Sequence, residues 1–247
     1  MIKIENLRKA FDSHLVLDGV NIDINRGESI VVIGQSGCGK SVLLKHLIRL
    51  LEPDDGRVTF DGEDISRFDF YELTDYRRRF GMLFQSAALF DSMTVEENVG
   101  LGLKESRQYS AKQTRDIVNE KLELVGLTGV GEKRPAELSG GMRKRVGLAR
   151  AIAGTPEVLL YDEPTTGLDP ITADMINELI VHLREKLQVT SVAVTHDMKS
   201  AFQIADRIVM LHNGKIEFEG TPQEVSTTSN PVVRQFITGS SVGPIQA

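Results

Sequence analysis

Gly34-Gln35-Ser36-Gly37-Cys38-Gly39-Lys40-Ser41 is entered by a β-branched run, Ser29-Ile30-Val31-Val32-Ile33, and left by an amphipathic run over residues 42–51. Strand, glycine loop, helix is the order a phosphate-binding loop requires. The glycines let consecutive backbone N–H groups turn inward and form an anion-binding nest. The helix that starts at the loop adds the positive end of its dipole. In that pattern Lys40 reaches the β- and γ-phosphates, and the Ser41 hydroxyl sits on Mg²⁺. The alternative is a glycine turn that merely joins a strand to a helix. Because both flanks fit as well as the motif, residues 34–41 read as the nucleotide-binding residues of the chain.

The bulk numbers bound the rest. The chain has 247 residues, enough for one large domain or a domain carrying an inserted subdomain. Hydrophobic content is 40% and charged content 26%, so a packed core is expected rather than disorder. A net charge of -6 and a pI near 5.5 argue against nucleic acid held by bulk electrostatics. No stretch approaches the roughly 20 apolar residues of a membrane span. Met1-Ile2-Lys3-Ile4-Glu5 lacks the apolar region of a signal peptide. The single cysteine, Cys38, excludes an internal disulfide and fits a reducing compartment. It lies near a helix N-terminus, where a thiolate is favoured.

Taken in order, Ile2-Lys3-Ile4-Glu5-Asn6-Leu7 and Val20-Asn21-Ile22-Asp23-Ile24 alternate apolar and polar and predict antiparallel strands with one wet face. Glu52-Pro53-Asp54-Asp55-Gly56 stops the first helix, and residues 57–62 read as a strand and turn. Residues 70–79 suggest a short helix and 80–84 a buried strand. From about 86 to 153 helical periodicity replaces strand signals, notably over 114–125, which predicts a helical subdomain inserted in an α/β core. Strands resume at 158–161 and 191–195 with a helix over 172–187 between them, a crossover that implies parallel pairing. Residues 208–212 and 215–219 flank Asn213-Gly214, a strong hairpin signal. A last short helix follows, and the tail from 226 to 247, rich in Ser, Thr, Gly and Pro, is expected to be partly loose.

Two further stretches carry chemistry. Val158-Leu159-Leu160-Tyr161-Asp162-Glu163 is an apolar strand ending in two carboxylates, on the ligand-binding edge of a parallel sheet. Asp162 is placed to hold Mg²⁺ through water, and Glu163 to polarise an attacking water as general base. A solvated strand end is the alternative for this pair. Leu138-Ser139-Gly140-Gly141-Met142 precedes a helix, so Ser139 and the two glycines offer phosphate donors at a second helix N-terminus.

With these motifs in this order, the chain resembles the ATPase subunit of an ABC (ATP-binding cassette) transporter from about residue 2 to about 225. The resemblance implies a P-loop NTPase fold: an α/β domain with a mixed parallel core sheet, an N-terminal antiparallel β subdomain and the inserted helical subdomain. It makes residues 34–41 the P-loop and ATP with Mg²⁺ the cofactors. It implies that Phe11 stacks on adenine with Val16 beside it, core packing being the other reading of Phe11. Gln85 matches the Q-loop glutamine that approaches Mg²⁺, so that Ser41, Gln85 and Asp162 form the metal set. A solvated turn at a strand end is the other reading of Gln85. Ser139, Gly140 and Gly141 match the signature loop, which grips the γ-phosphate held by the other subunit. Asp169 matches the D-loop at the dimer interface, and His196 the switch histidine at the γ-phosphate. His14, His46, His182 and His212 match nothing and read as structural or surface groups.

These matches imply a homodimer closing on two ATP, with Lys40, Glu163, Gln85 and His196 as catalytic residues. A chain without a membrane span would dock on two integral membrane permease subunits through its helical insertion. Asp91 after Leu89-Phe90, Met142 in place of the usual signature Gln, and Pro231-Val232-Val233-Arg234-Gln235-Phe236 are similar to cassettes of the bacterial maintenance-of-lipid-asymmetry (Mla) type, allied with mammalian-cell-entry (MCE) domain proteins. That likeness implies phospholipid transport, an MCE-domain lipid-binding partner, no nucleic acid, and a peripheral place on the cytoplasmic face of the inner membrane. A cassette for another substrate, a soluble non-transport ATPase and an inactive nucleotide-binding scaffold are the alternatives. The apolar residues Val232, Val233, Phe236 and Ile237 predict a small helix that packs on the partner cassette, a frayed terminus being the other reading.

Overall fold

The computed structural model describes residues 1–246. In chain order, β1 (Ile2–Phe11), β2 (His14–Ile24) and β3 (Ser29–Ile33) lead into α1 (Lys40–Leu47). Next come β4 (Asp55–Phe60), β5 (Glu63–Asp64), α2 (Phe70–Arg78) and β6 (Phe80–Leu83). Three helices follow, α3 (Val95–Ser106), α4 (Ala111–Leu124) and α5 (Gly140–Ile152). Then β7 (Val158–Asp162), α6 (Pro170–Leu187), β8 (Thr190–Thr195), α7 (Met198–Ile204), β9 (Arg207–His212) and β10 (Lys215–Gly220) precede α8 (Pro222–Thr227) and α9 (Pro231–Thr238). The elements gather into two compact units, Met1–Asp75 with the chain from Thr190 onward, and Tyr76–Val189.

In the first unit an antiparallel sheet runs β2-β1-β4-β5. β1 and β2 are longer than the alternation alone predicts, because they stay paired from Ile2↔Ile24 to Phe11↔His14. Register shifts at Leu7, Arg8 and Ala10 absorb the break in the apolar–polar pattern. A second set of strands runs β10-β9-β3-β8, with β3 parallel to both β8 and β9. β3 and β8 are buried along their whole length, as expected for parallel strands covered on both faces. The Asn213-Gly214 turn closes the antiparallel hairpin of β9 and β10. The tail is more ordered than its composition suggests. Asn230 caps α9 through the Val232 and Val233 amides, and Val233 is fully buried in its own chain. The buried Gln235 amide then donates to the Ser240 and Ile245 carbonyls and accepts from Ile245 N at 2.6 Å.

In the second unit β6 pairs in parallel with β7, Leu83 opposite Tyr161. α3 and α4 each begin with a capping box, Thr94 with Glu97 and Ser110 with Gln113, a device that stabilises a helix start by about 1 kcal/mol. α5 lies close against β6. A β-carbon at Gly147 would come within 2.7 Å of Leu83 and 3.2 Å of Ala87, so only glycine allows this approach.

Two buried polar groups make stability predictions. Tyr161 is fully buried, and its hydroxyl has no hydrogen-bond partner among the described residues. Tyr161→Phe is expected to raise stability by about 1 kcal/mol, read as the midpoint of chemical denaturation. His46, on α1, is 1% exposed, and burial pulls its imidazole below the ordinary value. The folded chain therefore binds fewer protons than the unfolded one as pH falls below about 6.5, and stability drops there. His46→Leu is expected to flatten the decline in melting temperature between pH 7.5 and 5.5.

Candidate active site

The phosphate loop leaves β3 at Gly34 and runs directly into α1, which already begins at Lys40. Gly34 has φ 154°, and a β-carbon on it would lie 2.3 Å from the Leu211 carbonyl oxygen and 2.7 Å from Cys38 Sγ. The loop therefore turns tightly over the end of β9, with the Cys38 thiol folded beneath it. Lys40 is 5% exposed, and its ammonium donates to the Gly34 carbonyl at 2.8 Å and the Gln35 carbonyl at 3.0 Å. Gln35 and Ser41 are half-buried, while Ser36 and Gly37 are open to solvent. Gly37 and Gly39 adopt left-handed backbone, and Val16 comes within 2.9 Å of where a Gly39 β-carbon would stand. Val16 thus borders the loop.

The same edge carries His196. β8 pairs Thr195 opposite Ile33, so the residue after each strand emerges side by side at their carboxyl ends. His196 is exposed there. Asp197 behind it caps α7 through Lys199 N and accepts from the Ser200 hydroxyl. Phe11 stands at the end of the β1–β2 hairpin, 42% exposed, with the Lys9 ammonium 5.6 Å from its ring centre. It is not a core residue, so the packing alternative for Phe11 fails.

In the second unit the parallel pair β6–β7 brings Gln85 and the Asp162-Glu163 pair to one carboxyl edge. The Gln85 side chain is exposed, whereas Asp162 and Glu163 are each 8% exposed. A solvated strand end therefore does not describe the two carboxylates. Glu163 sits in left-handed backbone at φ 48°, a conformation that is strained for a residue with a β-carbon. Its carboxylate accepts from the Thr166 hydroxyl at 3.0 Å.

Ser139 caps α5, its hydroxyl accepting from Met142 N at 3.2 Å. Gly141 is buried against Thr172, and Asp169 accepts from the Thr172 hydroxyl at 2.6 Å and from the Ile171 and Thr172 amides. Those bonds hold the Asp169 carboxyl below the usual carboxylate range. Residues 139–141 and Asp169 therefore meet through Thr172, at the start of α6.

One residue of this edge escapes motif reading. Lys144, on α5, is 5% exposed. Its ammonium donates to the Gln85 carbonyl and, at 3.1 Å, to the Glu163 carbonyl. Burial pulls it down to about 8, while the Asp162 and Glu163 carboxylates act the other way. The signal available in sequence is its place in the spacing Gly141, Lys144, Leu148, Ala151, a buried helical stripe with one cation in it.

A test of the loop follows from its packing. Gly34→Ala should weaken nucleotide binding more than tenfold, measured with a fluorescent ATP analogue, because the new methyl group collides with the Leu211 backbone.

Comparison with known proteins gives the same answer from another direction. The family model described as ABC transporter matches residues 17–166. A probable ribonucleotide transport ATP-binding protein, mkl, of Mycobacterium leprae is 43% identical over 99% of this chain and 70% of its own length. The intermembrane phospholipid transport system ATP-binding protein MlaF of Haemophilus influenzae is 39% identical over 100% of this chain and 93% of its own. Among solved structures, a dimeric ATP-binding cassette in a post-hydrolysis state bound to ADP and Pi superposes with a TM-score of 0.82 at 34% identity. It covers 90% of this chain and 99% of its own.

Proposed function

The chain belongs to the ABC transporter family and is an ATPase of it, and from that premise we propose that it powers phospholipid transport across a bacterial envelope. The likeness to MlaF along almost the full length of both chains carries the choice of cargo. The mycobacterial relative is named for ribonucleotide transport, which keeps a second cargo in view. Purification from membranes with identification of partners separates the two. An MCE-domain lipid-binding subunit supports phospholipid; a soluble substrate receptor in its place overturns it.

In the proposed reaction ATP lies with its phosphates on residues 34–41, Lys40 meeting the β- and γ-phosphates and Phe11, with Val16, flanking the base. Glu163 takes a proton from the water that attacks the γ-phosphorus, ADP leaves, and His196 contacts the γ-phosphate. Ser41, Gln85 and Asp162 offer hydroxyl, amide and carboxylate oxygens, the hard donors Mg²⁺ prefers. Among the described residues no group of three or more His, Cys, Asp or Glu could hold a metal alone. A Mg²⁺ on those donors would be completed by phosphate oxygens and water and would neutralise charge as the γ-phosphate departs.

A second copy would supply Ser139, Gly140 and Gly141 to the γ-phosphate, with Asp169 at the interface. Ile171 and Met175, 75% and 51% exposed on the first turns of α6, support a contact surface beside Asp169. A further dimer contact would lie on α9, whose Phe236 and Ile237 are half-buried. Among the described residues no helix is long and apolar enough to cross a membrane. Two integral membrane permease subunits would complete the transporter, with this chain on the cytoplasmic face of the inner membrane. The second unit has a cavity of about 570 Å³ between β6, α3 and α5, lined in part by Phe84, Leu101, Leu103 and Tyr109. Its apolar lining supports docking of a permease segment there.

Glu163→Gln tests the enzyme reading. It should bind ATP and dimerise like the wild type while hydrolysis falls at least about 100-fold. A wild-type chain that hydrolyses no ATP even with its membrane partners would sink it.

A further inference from the structure

We propose that Lys144 is a positioning residue of the hydrolytic site: from α5 it fixes the backbone of Gln85 and of Glu163, so that both side chains are set by the helix that carries the signature loop. This rests on the proposed roles of Glu163 and Gln85.

The geometry behind it is specific. A buried ammonium keeps its charge only if its protons find acceptors. Here the acceptors are two backbone carbonyls rather than a carboxylate. Residues 85 and 163 are far apart in sequence, yet one nitrogen bridges them. A carbonyl bond fixes where the chain goes, and therefore where the next side chain can point. At Glu163 this matters because its left-handed backbone must be held by its surroundings. Lys144 and the Thr166 amide both donate to that carbonyl.

A second tie from the same helix strengthens the reading. Arg150 donates to the Ala87 carbonyl at 2.6 Å and the Ala88 carbonyl at 2.7 Å. Ala87 and Ala88 are both left-handed, at φ 62° and 45°. The segment after β6 is thus pinned to α5 at Gln85 and again at Ala87 and Ala88. Ser139, the cap of α5, lies five residues before Lys144 on one rigid element. Any displacement of Ser139 to Gly141 therefore moves the anchor of Gln85 and Glu163 with it.

The neighbouring cations do not share this place. Arg143 donates to Leu138 O and Arg145 to Gly126 O, both away from the carboxylate edge. Neutralising Asp162 and Glu163 is a role any nearby cation could take. Joining residues 85 and 163 needs the reach and the donors of Lys144.

The test is steady-state ATPase kinetics of the full chain in the complex with which it purifies from membranes. Lys144→Met keeps the length and apolar stem but removes the donors. It should lower kcat about 10- to 100-fold with KM for ATP within about threefold and no fall in melting temperature. Lys144→Arg, which restores donors, should recover kcat to within about fivefold of wild type. A Lys144→Met kcat within twofold of wild type overturns the proposal. So does a loss of kcat matched by lower thermal stability and not rescued by Arg, since that marks a purely structural role. Should Lys144→Met fail to fold, Lys144→Gln, whose donor sits one bond short, is read the same way. Reduced kcat at unchanged KM supports the proposal and wild-type kcat overturns it. Glu163→Gln in parallel separates the two claims. If it hydrolyses like wild type, the reading of Glu163 fails; if it is inactive while Lys144→Met is wild type, only the role of Lys144 fails.

Discussion

Parallel pairing of β3 with both β8 and β9 is the constraint on which the nucleotide side of this protein depends. Parallel strands end at the same edge, so whatever follows each of them is delivered to one place. Here that delivers the glycine loop after Ile33 and His196 after Thr195. Antiparallel neighbours would have sent them to opposite ends. The loop then needs one further condition, a residue without a β-carbon at Gly34, because the Leu211 carbonyl stands 2.3 Å from where that atom would be. The second unit repeats the arrangement with β6 and β7, which bring Gln85 beside Asp162 and Glu163.

Two lysines, Lys40 and Lys144, are buried to the same degree and solve the same problem in the same way. Each satisfies its ammonium on backbone carbonyls. Lys40 bonds the loop that contains it, at Gly34 and Gln35. Lys144 bonds two segments other than its own, which makes it a brace rather than part of a loop. Backbone carbonyls offset part of the cost of burying each head group.

The residues matched to the interface carry a second duty inside their own chain. Ser139 caps α5 and Asp169 caps α6. Helix N-termini present unpaired N–H groups, and a side chain that caps them is held in a fixed place. The loop at residues 139–141 is therefore already ordered by local hydrogen bonds, and Thr172 ties it to the Asp169 loop.

Much of this was legible in the sequence, and the reason is local. The β-branched run before Gly34, the carboxylates after residues 158–161, the Asn213-Gly214 turn and the signature loop at the start of a helix are all written in contiguous residues. Backbone hydrogen bonding, side-chain period and left-handed turns depend on neighbours a few positions away, so they leave a pattern that can be read. The sequence by itself therefore determined the order of elements and the loops that carry the chemistry. What it left open depends on which segments lie side by side in space. Phe11 could have been core or surface until the hairpin left it exposed. The tail looked loose because the bonds from Gln235 to Ser240 and Ile245 have no compositional signature. Arg143, Lys144 and Arg145 are three consecutive cations, alike on the page. Only the close approach of α5 to β6, allowed by Gly147, turns one of them inward to the carbonyls of Gln85 and Glu163. Tertiary structure decided that, because a hydrogen bond between residues distant in the chain is specified by packing and not by spacing.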